Sequence, residues 1–369
     1  MPLYANVVGL HKSELDTPAL LIDVDAMERN IARMSAYVAH TDVRLRPHVK
    51  LHKATPVLAH KQLEAPGTVG ITCARLSEAE ILGASGIKDI LIANQIVGER
   101  NIRRLVNLAA YTDVMVAVDS QANVADLSRA AQARGVSVRV LVEVNVGNNR
   151  AGVDPFDQAV ALARAAASAP NVRFMGLMGY DGHSTFPSET SERETLSIAA
   201  NKLLIESRRC LEQAGLDVKI VSAAGTLTFK YASTIQGITE IQVGSYLLMD
   251  TYFKEKQATD FECALTVLGT VTSRPGWAGA EDLAIIDVGR KSMDTIYGLP
   301  TVKTPVGATC FNMPQEHGRL RLEGEARTLK AGDKVELWVR DANGTICMHD
   351  RFYAMCNDIV EAVWEIPRT

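Results

Sequence analysis

The stretch RLRPHVKLHK, residues 44–53, contains a lysine whose surroundings favour nucleophilic chemistry. Basic residues occupy every second position: Arg44, Arg46, His48, Lys50 and His52. Side chains alternate across a strand, so this spacing predicts that these residues share one face and that Lys53 does not. Burial and neighbouring cations both disfavour a protonated amine, which predicts a neutral Lys50 near neutral pH. The alternative interpretation is the solvated face of an edge strand.

Two later segments combine glycine with hydroxyl groups and could hold a phosphate. The first, SAAGT, contains Gly225 and Thr226, and the second, VGSY, contains Gly244, Ser245 and Tyr246. Small residues permit close backbone approach, and loops of this kind commonly bind phosphate oxygens. The pattern predicts a phosphate site formed by both segments.

Eight β-rich segments would position these residues, with amphipathic helical segments between them. They are 44–50, 68–74, 89–95, 113–119, 138–146, 172–180, 218–225 and 238–246. The alternation predicts an α/β protein with a (β/α)8 TIM-type barrel. Lys50 ends the first strand, and the two glycine-hydroxyl loops follow the last two, where such barrels often hold phosphate. A lysine facing a phosphate site across the barrel mouth predicts pyridoxal phosphate held as a Schiff base.

The alternation of strands and helices ends after Asp250, where the predicted strands are joined by Gly, Pro and Asn turns with no convincing helix between them. This predicts a C-terminal all-β domain. The opening segment TPALLIDVD also reads as a strand outside the eight, and we expect it to join that domain. The predicted boundaries are 25–252 for the cofactor-binding barrel, and 1–24 with 253–369 for the β-domain.

Net charge, the length of apolar runs and cysteine spacing argue against several classes of protein. With a net charge of -4 over 369 residues, the chain lacks the basic surface of a nucleic-acid-binding protein. No apolar run approaches the length of a membrane span, and the amino terminus has no signal-peptide pattern. Six cysteines without C-x-x-C spacing indicate neither a disulfide framework nor a zinc site. These features predict a cytoplasmic protein that binds a small molecule and binds neither nucleic acid nor a membrane.

Six blocks resemble the D-threonine aldolase and D-serine dehydratase family, fold-type III pyridoxal-phosphate enzymes related to alanine racemase. They are DTPALLIDVDAMERNI, RPHVKLHK, EVNVGNNRAGV, EIQVGSYLLMD, IIDVGRKS and EHG. The resemblance implies that Lys50 carries the cofactor, that Arg150 reaches its phenolic oxygen and that Gln242 contacts its pyridine nitrogen. It also implies a homodimer in which the β-domain of one subunit closes the barrel mouth of the other. The candidate cofactor-binding residues are then His48, Lys50, Arg150, Tyr180, Gly225, Thr226, Gln242, Gly244, Ser245 and Tyr246.

Gln242 has a mechanistic implication. A neutral amide does not hold the pyridine nitrogen protonated, so the cofactor would be a weaker electron sink than with a carboxylate at that place. The family compensates by polarising the β-hydroxyl of the substrate with a divalent metal. The alternative is that Gln242 only satisfies backbone groups at a strand end.

The metal motif of the family differs here. The resemblance places a His, and two residues later an Asp or Cys, where this chain has Asp341 and Asn343 in RDANGT. Two oxygen ligands suit magnesium or manganese better than zinc. The segment DANG is equally a plausible turn between two strands.

A second difference follows the sixth strand, in GYDGHSTF. Tyr180 and Gly182 match the family, Asp181 replaces a basic or amide residue, and Phe186 stands where the catalytic His of the family would fall. His183, three positions earlier, is the candidate base, and Asp181 is included among the candidate catalytic residues. The alternative is an ordinary loop histidine.

The resemblance implies a lyase acting on a D-configured β-hydroxy-α-amino acid. Retro-aldol cleavage would yield glycine and an aldehyde, whereas dehydration would yield a keto acid and ammonia, with Lys50 removing the α-proton. One alternative is a racemase or epimerase, which needs a second base on the opposite face that no motif assigns. Another is a non-catalytic pyridoxal-phosphate-binding protein, although such proteins resemble the barrel alone.

Overall fold

The computed structural model describes residues 6–257 and 260–369. Its helices are α1 (Val24–Ala39), α2 (Pro56–Glu64), α3 (Leu76–Ala84), α4 (Glu99–Leu108), α5 (Gln121–Arg134), α6 (Asp157–Ser168), α7 (Thr190–Gln213), α8 (Phe229–Ala232), α9 (Thr251–Gln257) and α10 (Ala342–Cys347). Short 3-10 helices cover Lys12–Glu14, Gly182–Thr185 and Gly324–Thr328.

The strands form two sheets. One contains β2 (Arg44–Leu45), β3 (Ile71–Cys73), β4 (Asp89–Gln95), β5 (Asp113–Val118), β6 (Val138–Glu143), β7 (Val172–Gly179), β8 (Ile220–Ala223) and β9 (Glu240–Ile241). The other contains β1 (Ala19–Asp23), β10 (Leu265–Ser273), β11 (Leu283–Ile286), β12 (Thr301–Thr304), β13 (Ala308–Asn312), β14 (Gly318–Leu322), β15 (Lys334–Trp338), β16 (Arg351–Cys356) and β17 (Ile359–Glu365).

The first sheet is a parallel barrel, as predicted. Its strand order is β2-β9-β8-β7-β6-β5-β4-β3. Two isolated bridges close the barrel between the first and last strands of this order: Leu45 of β2 pairs with Thr68 before β3, and His48 after β2 pairs with Thr72 of β3. Parallel strands of this kind are covered on both faces and are therefore largely buried. All six residues of β6 are buried, for example.

The first barrel strand is shorter than predicted. Regular pairing covers only Arg44 and Leu45, His48 makes a single bridge, and Lys50 lies in a turn. The expectation that five basic residues share one face of a strand is wrong. Arg46 is buried while Lys50 is exposed, because the chain leaves the extended conformation before the alternation is complete.

The second sheet has antiparallel pairing except where β1 runs parallel to β16. Because β1 pairs with β10 and β16, the prediction that the opening segment joins the β-domain is confirmed. The expectation of no helix between the strands after Asp250 is wrong, since α10 lies between β15 and β16. DANG is not a simple turn between strands, because Asp341 caps the start of α10.

The chain divides into two compact units. One contains the described residues up to Arg33, the segment Leu51–Thr55 and the described part of Ser245–Arg368; the other contains Met34–Lys50, Pro56–Gly244 and Thr369. Among the residues described, none of the helices is both long and apolar enough to cross a membrane.

Candidate active site

Lys50 lies on the carboxyl side of β2, in the turn that follows it. Its Nζ is 6.0 Å from the centre of the Tyr180 ring. Part of the side chain reaches solvent, yet burial of the amine lowers the pKa of Lys50, and the positive charge of Arg150 lowers it further, against an opposing effect of Glu78. A lysine with a lowered pKa is a better nucleophile near neutral pH, because more of it is neutral.

The direction of this pKa shift is as predicted, but its electrostatic source is not. The sequence assigns it to neighbours in the same stretch: Arg46, His48 and His52. In the structure the guanidinium of Arg46 is buried and donates to Glu240 at 2.9 Å and Asp89 at 2.8 Å. The charge that acts on Lys50 comes instead from Arg150, which is remote in sequence.

Arg150 and Tyr180 form the wall beside Lys50. The guanidinium carbon of Arg150 lies 5.4 Å from the centre of the Tyr180 ring, within the range of a cation–π contact. Arg150 is also 3.8 Å from Glu143, whose carboxylate accepts a hydrogen bond from Gln95 at 2.5 Å. The side chain of Arg150 is 57% exposed and that of Glu143 only 6%. Arg150 is therefore held loosely and remains able to bind an anionic oxygen.

The two glycine-hydroxyl loops meet. The backbone N–H of Gly244 donates to Oγ1 of Thr226 at 3.3 Å. A Cβ at Gly244 would lie 2.3 Å from the backbone oxygen of His48, so only glycine permits this approach. Gly225 lies against Tyr180, where an added Cβ would be 3.4 Å from a ring carbon. Residues predicted to bind the phosphate thus lie next to Tyr180 and His48.

Ser245 and Tyr246 continue the second loop in the other compact unit. Ser245 is half-buried and its carbonyl accepts a hydrogen bond from the Met249 N–H. The ring of Tyr246 is fully buried, with its centre 5.6 Å from that of Phe261. The phosphate contact of Tyr246 stays a prediction.

Gln242 follows β9 and is oriented by the neighbouring strand. Its Nε2 donates to Oγ of Ser222 at 2.8 Å, and its backbone N–H donates to Ala223. Ser222 is completely buried in β8. The side-chain amide is thus held by a hydrogen bond between strands rather than left to rotate.

His183 and Asp181 differ sharply in their surroundings. The imidazole of His183 packs on Gly147, where an added Cβ would lie 3.1 Å from Nε2, and its buried Nδ1 has no hydrogen-bond partner among the described residues. Asp181 is 1% exposed and its carboxylate is fully engaged by neighbouring side chains. Phe186, by contrast, is 76% exposed. The unsatisfied Nδ1 makes His183 the better candidate for contact with a bound molecule.

Comparisons with known proteins identify the family of this chain. The model of the alanine racemase N-terminal domain matches residues 22–252, and a serine dehydratase domain model matches 264–355. The chain is 34% identical to 3-hydroxy-D-aspartate aldolase of Paracoccus denitrificans (strain Pd 1222), over 97% of this chain and 93% of that protein. It belongs to the D-threonine aldolase and D-serine dehydratase-like family.

Two solved structures of relatives are similar to this chain over 97% of its length. D-threonine aldolase from Filomicrobium marinum superimposes with a TM-score of 0.90 at 33% identity, covering 97% of this chain and 96% of that one. D-threo-3-hydroxyaspartate dehydratase from Delftia sp. HT23 gives a TM-score of 0.87 at 28% identity, covering 97% and 99%.

The two residues predicted to hold a metal, Asp341 and Asn343, form the cap of a helix. Asp341 is buried, and its carboxylate accepts a hydrogen bond from the Asn343 N–H at 2.9 Å. Burial raises the pKa of Asp341, and the charge of Asp294 raises it further. Within 6–257 and 260–369, no three His, Cys, Asp or Glu side chains form a group that could hold a metal ion. A metal at Asp341 and Asn343 remains a prediction.

Sequence reasoning missed three residues that contact the predicted site: Glu143 beside Arg150, Ser222 bound to Gln242, and Thr228 bound to Asp181. Glu143 could have been found, because it is the last residue of a barrel strand, where barrel enzymes place functional groups. Ser222 and Thr228 carry no local signal, because their importance depends on partners in distant segments.

Proposed function

We propose that this chain is a pyridoxal-phosphate-dependent lyase acting on D-configured β-hydroxy-α-amino acids. The observation that carries the proposal is Lys50, an amine with a lowered pKa on the carboxyl side of the first barrel strand and beside Tyr180. Membership of a family whose named relatives are lyases for such amino acids supports the same reaction class.

The residues present fit pyridoxal phosphate. Gly244 leaves backbone space that a Cβ would fill, and Thr226 joins the two loops predicted to receive the phosphate. Lys50 would hold the aldehyde carbon, Arg150 the phenolic oxygen and Gln242 the pyridine nitrogen. When bound, this cofactor supplies an electron-withdrawing ring that stabilises negative charge at the α-carbon of the substrate.

The side chains of the protein direct the chemistry around that carbon. In dehydration Lys50, with its lowered pKa, accepts the α-proton. Arg150 binds an anionic oxygen, and its positive charge adds to burial in lowering the pKa of Lys50. Gln242 cannot ionise, so it limits the charge drawn into the ring. The unsatisfied Nδ1 of His183 holds or receives a proton at the β-oxygen.

Two reactions remain within the proposal because both occur among the named relatives. In retro-aldol cleavage His183 acts as a base for the proton of the β-oxygen, the Cα–Cβ bond breaks to release an aldehyde, and the α-carbon then gains a proton to give glycine. In dehydration the β-oxygen leaves, so His183 must deliver a proton while Lys50 takes the one at the α-carbon. We further propose that the protein is a cytoplasmic homodimer. A magnesium or manganese ion at Asp341 and Asn343 is a separate proposal, which the experiment with chelator tests.

The decisive experiment uses the protein loaded with pyridoxal phosphate and a panel of D- and L-threonine, serine and 3-hydroxyaspartate. Aldehyde, ammonia and inverted enantiomer are measured separately. We expect aldehyde or ammonia from D-substrates only, and none from Lys50→Ala, whereas Lys53→Ala is the matched control that retains turnover. Inversion alone would establish a racemase, and cofactor binding with no product would establish a carrier; either result overturns the proposal.

A further inference from the structure

Asp181 lies directly after Tyr180, on the inner side of the site, and is closed off from solvent. Its carboxylate accepts hydrogen bonds from Ser197 Oγ at 2.6 Å, Asn201 Nδ2 at 3.2 Å and Thr228 Oγ1 at 3.0 Å. Asp181 and all three donors are buried. Burial raises the pKa of Asp181, while these bonds act in the opposite direction. A buried carboxylate with three side-chain donors is a fixed structural junction.

Thr228 connects this junction to the predicted phosphate loop. Its hydroxyl donates to Asp181 and accepts from the N–H of Gly225 at 3.2 Å. The carbonyl of Gly225 in turn accepts from the N–H groups of Thr228 and Phe229. Ala224, one residue before, has φ +63°, a conformation that costs an alanine on the order of 1 kcal/mol. Bonds around the loop must therefore hold it in this conformation.

We infer that Asp181 is a positioning residue that holds the phosphate loop of residues 224–228 in shape through Thr228. It does so without touching substrate or cofactor. The inference rests on the proposed function, because it concerns the affinity of the chain for pyridoxal phosphate. Through Ser197 and Asn201 the same carboxylate joins this loop to α7, so three segments meet at one side chain.

The chemistry of the junction requires a carboxylate rather than an amide. All three neighbours present donors to Asp181, and a carboxylate offers only acceptors. An asparagine there would turn an NH2 group toward either Thr228 or Asn201. In the first case the Thr228 hydroxyl, which already accepts from Gly225, loses the acceptor for its own proton. In the second, two NH2 groups face each other.

Four substitutions separate this role from general stability. Asp181→Asn preserves shape and removes one acceptor, and Thr228→Val removes only the hydroxyl that reaches the loop. Thr228→Ser restores that hydroxyl. Ser197→Ala is the matched control, because it removes a buried donor to Asp181 on the α7 side and leaves the bond to Thr228 in place.

The measurements are the dissociation constant of pyridoxal phosphate for the apo-protein and the 31P NMR shift of the bound phosphate, with thermal unfolding of the apo-protein as a check on folding. Loss of one buried hydrogen bond should weaken cofactor binding about tenfold in Asp181→Asn and Thr228→Val, with a changed 31P shift. Thr228→Ser and Ser197→Ala should stay within about threefold of wild type. At saturating cofactor, kcat should change less than the cofactor affinity.

Wild-type affinity and an unchanged 31P shift in both Asp181→Asn and Thr228→Val would overturn the inference. If Asp181→Asn does not fold, or binds the cofactor like wild type because its amide oxygen faces Thr228, Thr228→Val decides alone. Equal loss in Ser197→Ala and Asp181→Asn would reduce the role to general packing and also overturn it. Failure of the wild-type protein to bind pyridoxal phosphate at Lys50 would instead refute the proposed function.

Discussion

At the residue scale, the two lysines of RLRPHVKLHK are distinguished by their surroundings. The amine of Lys50 lies beside Tyr180 and has a lowered pKa. Lys53 has a left-handed backbone, with φ +52°, and its Nζ lies 3.9 Å from Sγ of Cys347. Only Lys50 lies next to the aromatic and cationic residues that the resemblance assigns to the cofactor.

We therefore predict that Lys50 alone forms the covalent link with pyridoxal phosphate. Borohydride reduction of the loaded protein, followed by peptide mapping, should place the pyridoxyl group on Lys50. Lys50→Ala should abolish the label, whereas Lys53→Ala should retain it, as the matched removal of a nearby amine. A label on Lys53 would contradict the assignment.

At the scale of elements, Asp250 joins the starts of α9 and α10. One oxygen accepts from the Phe253 N–H at 2.8 Å and the other from the Ala342 N–H at 3.1 Å. Burial raises the pKa of Asp250 from 3.8 to about 7, against these two hydrogen bonds and with a smaller contribution from Asp341. The two helices thus meet at a carboxyl group that is only partly ionised near neutral pH.

This shift predicts a pH-dependent stability. Between pH 3.8 and about 7 the folded protein binds more protons at Asp250 than the unfolded chain does. The contribution of this group to the free energy of unfolding should therefore fall as pH rises through this window, by an amount on the order of 1 kcal/mol per pH unit. Asp250→Asn should remove that slope in urea unfolding measured from pH 4 to 7.

Glu255→Gln provides the comparison for this prediction. The pKa of Glu255 is lowered, first by its hydrogen bond with Arg340, so its contribution to stability rises with pH instead. Removing it should make the fall with pH slightly steeper. An unchanged slope in Asp250→Asn would show that the carboxyl group titrates alike in both states.

The cap of α10 allows a second test at this scale. Asp341→Ala removes the side-chain acceptor for the Asn343 N–H and should lower the free energy of unfolding by about 1 kcal/mol. Asp341→Asn should cost much less, because asparagine caps almost equally well. Chemical denaturation of both variants measures the difference, and equal losses would contradict the capping role.

The same pair of variants tests the predicted metal. If Asp341 also binds magnesium or manganese, chelator should reduce turnover of the wild-type enzyme and either ion should restore it. Asp341→Ala should then not respond to chelator, and Asp341→Asn, which keeps an oxygen donor without the charge, should respond less than wild type. Full response of Asp341→Ala to chelator would place the metal elsewhere.

At the scale of the whole molecule, the exposed apolar residues of the β-domain unit suggest where a second copy binds. Ile296, Tyr297 and Leu299 are close in sequence and exposed, with Ile296 72% accessible. Tyr297 stacks on Tyr252, with ring centres 3.9 Å apart, which makes this a rigid surface. Apolar groups of this kind commonly mark an interface.

We predict a homodimer whose contact includes this segment. Ile296→Asp should shift the protein toward monomer in light scattering and reduce turnover, because a charge in a desolvated interface is costly. Tyr111→Asp is the control, since Tyr111 is also exposed, at 49%, but precedes β5 at the amino-terminal end of the barrel. A wild-type monomer with full activity would contradict the prediction.

The sequence by itself determined the barrel, the β-domain with its early strand, and the place of Lys50 and the two glycine-hydroxyl loops. Those features follow from local periodicity and from the order of strands along the chain, both of which can be read residue by residue. The tertiary structure decided how charge is compensated. Arg46 is neutralised by Glu240, Lys50 is influenced by Arg150, and Asp181 is held by Ser197, Asn201 and Thr228.

Each of these partners lies in a different segment from the residue it affects, and a pattern within one strand carries no information about it. The same limit explains the shortened first strand. Alternation predicts which side chains share a face only while the chain stays extended; regular pairing of this segment ends at Leu45, and the chain turns at Lys50 after a single bridge at His48. The chemistry of the site therefore depends on which distant segments meet, and the folded backbone determines those contacts.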